Sequence, residues 1–184
     1  MLNQITSRLN ALKKVSRISN FKTRKMIANG IVISKFIYLV QIWGGTSEFL
    51  ISLLQKLQNQ AARLVTKLDW RTPVSTLLRQ CGWLSIQQLY AYHSLVQILK
   101  VKSEKRPEYI NEKFSKGFGH HTRLSSNNCI RIQNHISSDL GKQNFTYKAA
   151  LLWNKLPPNI KQCSTLKKFK ISLKEWVKKE IPLK

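Results

Sequence analysis

A repeat of apolar side chains between residues 48 and 68 places the strongest constraint on the fold. The stretch reads EFLISLLQKLQNQAARLVTKL, and its apolar positions recur at the spacing of one face of an α-helix. This leucine face comprises Leu50, Leu53, Leu54, Leu57, Ala61, Leu64, Val65 and Leu68. Because an apolar face of this length must be covered, it predicts a helix that packs against other helices.

Comparable patterns predict helices along most of the chain. Side chains that cap helix starts precede several of these segments, and glycine or proline ends several of them. The predicted helices span residues 2–18, 23–43, 47–68, 73–81, 85–102, 147–156 and 166–180. We therefore expect a mostly α fold, with a helical bundle over residues 1–102 and two C-terminal helices in an extension over residues 146–184. The polar stretch between them, residues 103–145, predicts a loop-rich linker with one short strand or hairpin near NCIRIQ.

The most apolar run, IVISKFIYLVQIW at residues 31–43, includes Lys35 and Gln41. It is shorter than the ~20 apolar residues that a bilayer-spanning helix needs. We therefore predict a buried core helix here, and no transmembrane segment.

The charge of the chain narrows the choice of partner. There are 32 lysines and arginines against 8 aspartates and glutamates, which gives a formal net charge of +24. Residues 1–47 contain eight basic residues and no acid, and residues 161–184 contain eight lysines against two glutamates. Self-repulsion of this size opposes compaction unless a polyanion screens it, so the charge indicates nucleic acid or an anionic membrane as partner.

One polar stripe runs beside the leucine face. Its side chains would contact phosphates and sugars, which position a nucleic acid without reading its sequence. A single charged stripe is more often a solvated helix face, but the glutamates that would normally neutralise it are missing here. The predicted nucleic-acid-binding residues are Lys56, Asn59, Gln60, Arg63 and Lys67 from this stripe, with Lys13, Lys14 and Arg17 from the first helix.

The sequence lacks the residues that common catalytic sites require. Asp69 and Asp139 are the only aspartates, and neither has an acidic neighbour. Two-metal polymerases and nucleases need several carboxylates that converge on divalent ions. There is no glycine-rich phosphate loop, no HExxH or GxSxG motif, and the three cysteines are far apart without a CxxC pair. We therefore predict no catalysis by this chain alone, no metal site, no cofactor and no small-molecule substrate.

Four stretches resemble, in order, the C-terminal region of reverse transcriptases from non-LTR (LINE-like, jockey-type) retrotransposons. They are FIYLVQIWGG, LQKLQNQAARLVTKL, RTPVSTLLRQCGWLSI and NFTYKAALLWNKLPPNIKQCSTLKKFKISLKEW, and the resemblance covers roughly residues 1 to 177. The matching residues are Tyr38, Trp43, Gly44, Leu57, Gln58, Asn59, Ala61, Ala62, Arg63, Leu64, Thr72, Pro73, Leu77, Leu78, Gly82, Trp83, Leu84, Trp153, Asn154, Leu156, Pro157, Phe169 and Leu173.

This resemblance implies a helical thumb followed by a C-terminal extension, which together hold template RNA and primer DNA. In that family the palm, with its paired catalytic aspartates, and the fingers and endonuclease precede this region, and their motifs do not occur here. The resemblance implies thumb-type contacts by Lys56, Arg63 and Lys67, assisted by the basic residues of the first helix. The expected partner is RNA, DNA or an RNA–DNA hybrid, bound through phosphates.

Several alternatives stay open at the level of sequence. The chain is a fragment, a decayed element copy without function, or a domesticated remnant. A different class of function is a basic helical protein that acts at an anionic membrane surface or in an organelle, since the acid-free start has the composition of a mitochondrial transit peptide. The sequence favours a nuclear or cytoplasmic location over a mitochondrial one without deciding it.

Overall fold

The structure is a computed structural model that describes residues 2–104, 108–115, 129, 130, 132, 139–163 and 165–182. Over these residues the fold is mostly α, as predicted, and contains no strand. The strand expected near NCIRIQ is not formed at residues 129, 130 and 132, and the rest of that stretch lies outside the described residues.

Helices account for most of the described residues. We number them in chain order as α1 (Leu2–Ser16), α2 (Phe21–Ala28), α3 (Ser34–Ile37), α4 (Val40–Trp43), α5 (Glu48–Thr66), α6 (Val74–Cys81), α7 (Ile86–Glu104), α8 (Glu108–Ser115), α9 (Asp139–Gln143), α10 (Phe145–Lys155), α11 (Pro158–Lys161) and α12 (Leu166–Glu180). One turn of π-helix, Asn29–Ile33, joins α2 to α3. Helices α8 and α9 fall in the segment that the sequence predicted to be irregular, because helices of eight and five residues are too short to show a clear helical repeat.

The chain forms two compact units. The first comprises Met1–Leu89 with Ile181–Lys184, and the second comprises Tyr90–Glu180. The division falls inside α7, whereas the sequence predicted boundaries near residues 102 and 145. Those boundaries were placed where the amino-acid composition changes. Composition indicates which segments are exposed to solvent, but it does not indicate which segments pack against each other.

Helix α5 lies at the centre of the first unit and packs against α1, α2 and α6. Its buried side chains are Ile51, Leu54, Gln58, Ala61, Ala62 and Val65. This buried face is rotated by roughly 70° about the helix axis from the predicted leucine face, at about 100° per residue. Leu50 and Leu68 are 40% and 38% exposed, while Gln58 is fully buried. The rotation brings two small alanines against the neighbouring helices and lets the Gln58 amide reach a backbone carbonyl.

The predicted helix over residues 23–43 is broken rather than continuous. The break lies at Tyr38 and Leu39, and Leu39 takes a left-handed conformation with φ of 50°. The indole Nε1 of Trp43 donates to the Tyr38 carbonyl at 2.8 Å, which supplies a donor that the interrupted helix no longer gives. Tyr38, Leu39 and Ile42 are 66%, 48% and 71% exposed, so the prediction of a buried core helix is wrong for this part.

The second unit has its own core around Trp153. This indole is fully buried, and its ring centroid lies 6.4 Å from that of Phe169. The ammonium group of Lys102 lies 4.8 Å from the centre of the Trp153 ring. The Asn154 amide exchanges two hydrogen bonds with the backbone of Ile130, at 2.8 and 2.9 Å, and so ties this otherwise irregular residue to α10.

Candidate nucleic-acid interface

Helices α1 and α5 run side by side in the same direction. At their N-terminal ends Leu2 and Leu50 line one cavity of about 370 Å³. At their C-terminal ends the buried guanidinium of Arg24 donates to the carbonyl of Val65, in the last turn of α5, at 2.8 Å and to the carbonyl of Ser19, which follows α1. The C-terminal ends of the two helices are therefore held next to each other.

This arrangement gathers basic side chains that are distant in sequence. We call them the basic end, and they are Lys13, Lys14, Arg17, Arg63, Lys67 and Arg71. All but the half-buried Arg63 are exposed to solvent. Residues 1–89 contain only two acids, and Glu48 begins α5 at the opposite end of the helix. The other acid, Asp69, accepts a hydrogen bond from the backbone N–H of Arg71 at 2.8 Å.

The predicted site residues do not all lie together. Lys56 lies about 16 Å along the axis of α5 from Lys67, at about 1.5 Å per residue. Lys56 and Gln60 are exposed, whereas Asn59 is half-buried and its Oδ1 accepts a hydrogen bond from the Gln55 amide at 2.8 Å. The structure therefore places five of the eight predicted residues at the basic end and leaves these three farther along α5.

Arg63 has a structural task that the sequence did not indicate. Its Nη1 donates to the Asp69 carbonyl at 3.0 Å, and its Nη2 donates to the Thr72 carbonyl at 3.4 Å. The guanidinium thus anchors the loop between α5 and α6. Arg63 orders the backbone that carries the neighbouring basic side chains, and its predicted contact with nucleic acid stays a prediction.

A purely structural role accounts for part of the basic end. Lys13 and Lys14 lie in the last turn of α1, and Arg63 lies in the last turn of α5. A cation at this position interacts favourably with the helix dipole, typically by about 0.3–1 kcal/mol. Such an interaction explains a basic side chain at each helix end, but it does not offset the mutual repulsion of six cations near a single carboxylate.

Two residues of this region were missed in the sequence. Trp70 is 73% exposed, and the Arg71 guanidinium lies 5.3 Å from the centre of its ring. Both lie at residues 69–72, between the predicted helices 47–68 and 73–81, where the sequence has no helical periodicity. The available signal was an aromatic residue between two nearby cations, Lys67 and Arg71, directly after a helix, in KLDWR.

Within the part of the chain that the structure describes, no three histidine, cysteine or acidic side chains come together as metal ligands. None of the described helices is long and apolar enough to cross a membrane. Comparison of the chain with protein-family models, with curated proteins and with solved structures found no match.

Proposed function

We propose that this protein binds nucleic acid through phosphate contacts at the basic end, with little sequence preference and without catalytic activity of its own. We further propose that it derives from the thumb and post-thumb region of a non-LTR retrotransposon reverse transcriptase. The observation that carries the binding proposal is the gathering of exposed cations at the adjacent C-terminal ends of α1 and α5.

Electrostatics favours a polyanion at this place. Residues 1–89 contain thirteen lysines and arginines against two acids, so the first unit has no internal means of neutralising its charge. Phosphates close to the basic end relieve this repulsion and release condensed counterions, which favours binding. Lysine and arginine contacts of this kind fix the position of a nucleic acid but carry no sequence information.

The proposed origin depends on the motif resemblance, which concerns packing more than binding. Gln58 and Ala61 are buried in α5, and Trp153 and Leu156 are buried in the second unit. These side chains determine how helices pack, so the resemblance favours a shared fold. The basic end then supplies a separate argument for binding, which does not depend on the resemblance.

A salt titration tests the binding proposal. The full chain is mixed with a labelled RNA–DNA hybrid, and its affinity is measured by fluorescence anisotropy between about 50 and about 200 mM salt. If the five exposed cations of the basic end each neutralise one phosphate, the logarithm of the affinity falls against the logarithm of salt with a slope of about −4 to −5. Absence of binding at the lowest salt, or an affinity that salt does not change, would refute the proposal.

Single charge removals locate the contact. Lys67→Gln and Arg17→Gln are each expected to reduce the magnitude of the slope by about 1. Lys179→Gln is the matched control, because Lys179 is an exposed lysine near the end of α12. If this control lowers the slope as much as the two variants do, the basic end is not the contact surface.

A second candidate function is binding to an anionic membrane surface. The exposed side chains of Tyr38, Leu39 and Ile42 favour it, because apolar and aromatic groups near cations insert at the boundary of lipid headgroups and acyl chains. Co-sedimentation with vesicles that contain phosphatidylserine tests this candidate. Binding to vesicles that Ile42→Ser weakens, together with no affinity for the hybrid, would favour the membrane over nucleic acid.

A further inference from the structure

The loop between α5 and α6 presents a tryptophan to solvent. Trp70 is 73% exposed, whereas Trp83 and Trp153 are 8% and 0% exposed. A large aromatic side chain is normally buried, because leaving it in water forgoes the free energy of its apolar surface. An exposed indole on a backbone that is held in one conformation therefore points to a role in binding.

Hydrogen bonds hold this loop. Arg63 donates to the carbonyls of Asp69 and Thr72, as described above, and the Thr72 N–H donates to the Asp69 carbonyl at 3.0 Å. The Asp69 carboxylate in turn accepts from the Arg71 N–H at 2.8 Å. These hydrogen bonds fix the backbone on both sides of Trp70. Because the loop is already ordered, binding of a ligand to the indole costs little backbone conformational entropy.

One face of the indole is available to a ligand. The Arg71 guanidinium lies over the ring at 5.3 Å from its centre, in the arrangement of a cation–π contact. A ring covered on both faces could not remain 73% exposed, so the second face is open to solvent. Lys67, the exposed residue that directly follows α5, precedes Trp70 by three positions.

From this geometry we infer that Trp70 is a stacking platform for an unpaired base of single-stranded nucleic acid, with Lys67 and Arg71 at the adjoining phosphates. The inference rests on the proposed function and adds the form of nucleic acid that is bound. An aromatic face between basic side chains is the arrangement by which proteins bind single strands without sequence preference. Bases inside a duplex are stacked on each other and offer no open face.

Among the residues that the structure describes, the other strongly exposed aromatic side chains lack this combination. Phe49 is 70% exposed, but no lysine or arginine occurs within six residues of it in the sequence. Tyr38 is 66% exposed and lies at the broken end of α3, beside other exposed apolar residues. Trp70 alone among these three has cations on both sides of it in a loop with a single nearby carboxylate.

Affinity measurements on two ligands test the inference. The ligands are a single-stranded RNA of about 12 nucleotides and the RNA–DNA hybrid of the same sequence. We expect Trp70→Ala to weaken binding of the single strand by about five- to 150-fold, from about 1–3 kcal/mol per stacked base. Its salt slope and its affinity for the hybrid are expected to stay those of the native chain, because no charge is removed.

Two further variants serve as controls. Trp70→Phe keeps a ring face and should retain most of the affinity for the single strand, while Phe49→Ala removes an equally exposed aromatic side chain and should leave both affinities unchanged. Tryptophan fluorescence that the RNA quenches in the native chain, but not in Trp70→Phe, would support direct stacking.

The outcomes separate the two proposals. If Trp70→Ala binds the single strand as tightly as the native chain does, and salt-dependent binding to the hybrid persists, the stacking inference is wrong and the proposed function stands. Equal losses on both ligands would also overturn the preference for an unpaired base. If the native chain binds neither ligand, the proposed function fails, and the inference fails with it. If Trp70→Ala weakens binding to anionic vesicles but leaves both nucleic-acid affinities unchanged, the indole is a membrane contact and the stacking inference is wrong.

Discussion

Gln58 offers the sharpest test of how the first unit is held together. The side chain is fully buried, and its Nε2 donates to the carbonyl of Leu84 at 2.8 Å, which links α5 to the start of α7. Its Oε1 accepts from the amide of Gln55 at 2.9 Å, and that amide also donates to Asn59 at 2.8 Å. Gln58→Met keeps the length of the side chain and its helix propensity but removes both hydrogen bonds.

The expected loss follows from the partners that remain. The buried Leu84 carbonyl loses this donor, which costs about 1–3 kcal/mol, whereas the Gln55 amide keeps Asn59 as an acceptor and loses little. We therefore expect the free energy of unfolding to fall by about 2 kcal/mol, with an unchanged dependence on urea concentration. Urea unfolding followed by circular dichroism measures both quantities.

Gln60→Met is the matched control. It makes the same chemical change on the same helix at an exposed position, and surface substitutions of this kind usually stay within about 0.5 kcal/mol. If Gln58→Met and Gln60→Met are equally stable, the buried amide does not hold α5 to the start of α7, and the reasoning from the hydrogen bonds is refuted.

Three further predictions concern the basic end and its surroundings. Arg24→Ala should lower the free energy of unfolding by about 3 kcal/mol or more in urea titrations, because a buried charge-assisted donor to two carbonyls is lost. Arg17→Ala, which removes the same charge from an exposed position, should change it by less than about 0.5 kcal/mol, and equal effects would contradict the role of Arg24. Lys67 has φ of 57° directly after α5, a conformation that glycine adopts without strain, so Lys67→Gly should raise the free energy of unfolding by about 1 kcal/mol. The same variant should reduce the salt slope of hybrid binding by about 1, because it removes one positive charge. A lower free energy of unfolding would contradict the argument from φ. Burial raises the pKa of the Cys81 thiol from 9.0 to about 11, and the positive charge of Lys25 opposes this rise only in part. Between these two pH values the thiol ionises in the unfolded chain but not in the native chain. The free energy of unfolding should therefore fall as pH rises from 9.0 to about 11. Urea titrations across this range should show a smaller decrease for Cys81→Ala, and identical curves would refute the assignment.

The segment LQKLQNQAARLV illustrates how much of the site could be predicted. Its helical spacing was correctly identified, and Ala61 is buried as expected. Its polar residues were predicted as one group that faces a polyanion, yet Arg63 turns to its own loop and Asn59 bonds to Gln55. The sequence shows on which side of a helix each residue lies, because successive residues are about 100° apart around the axis. It does not show which polar side chain forms a hydrogen bond with another part of the protein.

Some features of the fold had no local signal. The break at Leu39 lies in an apolar run without glycine or proline, and a left-handed leucine is unfavourable in isolation. Only the surrounding contacts make it acceptable. The cations near Trp70 are visible in the sequence, but the exposure of its indole is not, because that exposure depends on where the loop leaves α5.

The sequence by itself determined the helical character, the excess of positive charge and the lack of clustered carboxylates. These properties depend on spacing and composition, which are local or additive along the chain. Tertiary structure decided which face of α5 is buried, which polar side chains serve the fold, and which cations from separate helices come together. Those outcomes depend on packing between segments that are far apart in sequence. The buried side chains of Gln58 and Arg24 contribute to that packing through hydrogen bonds to distant backbone carbonyls.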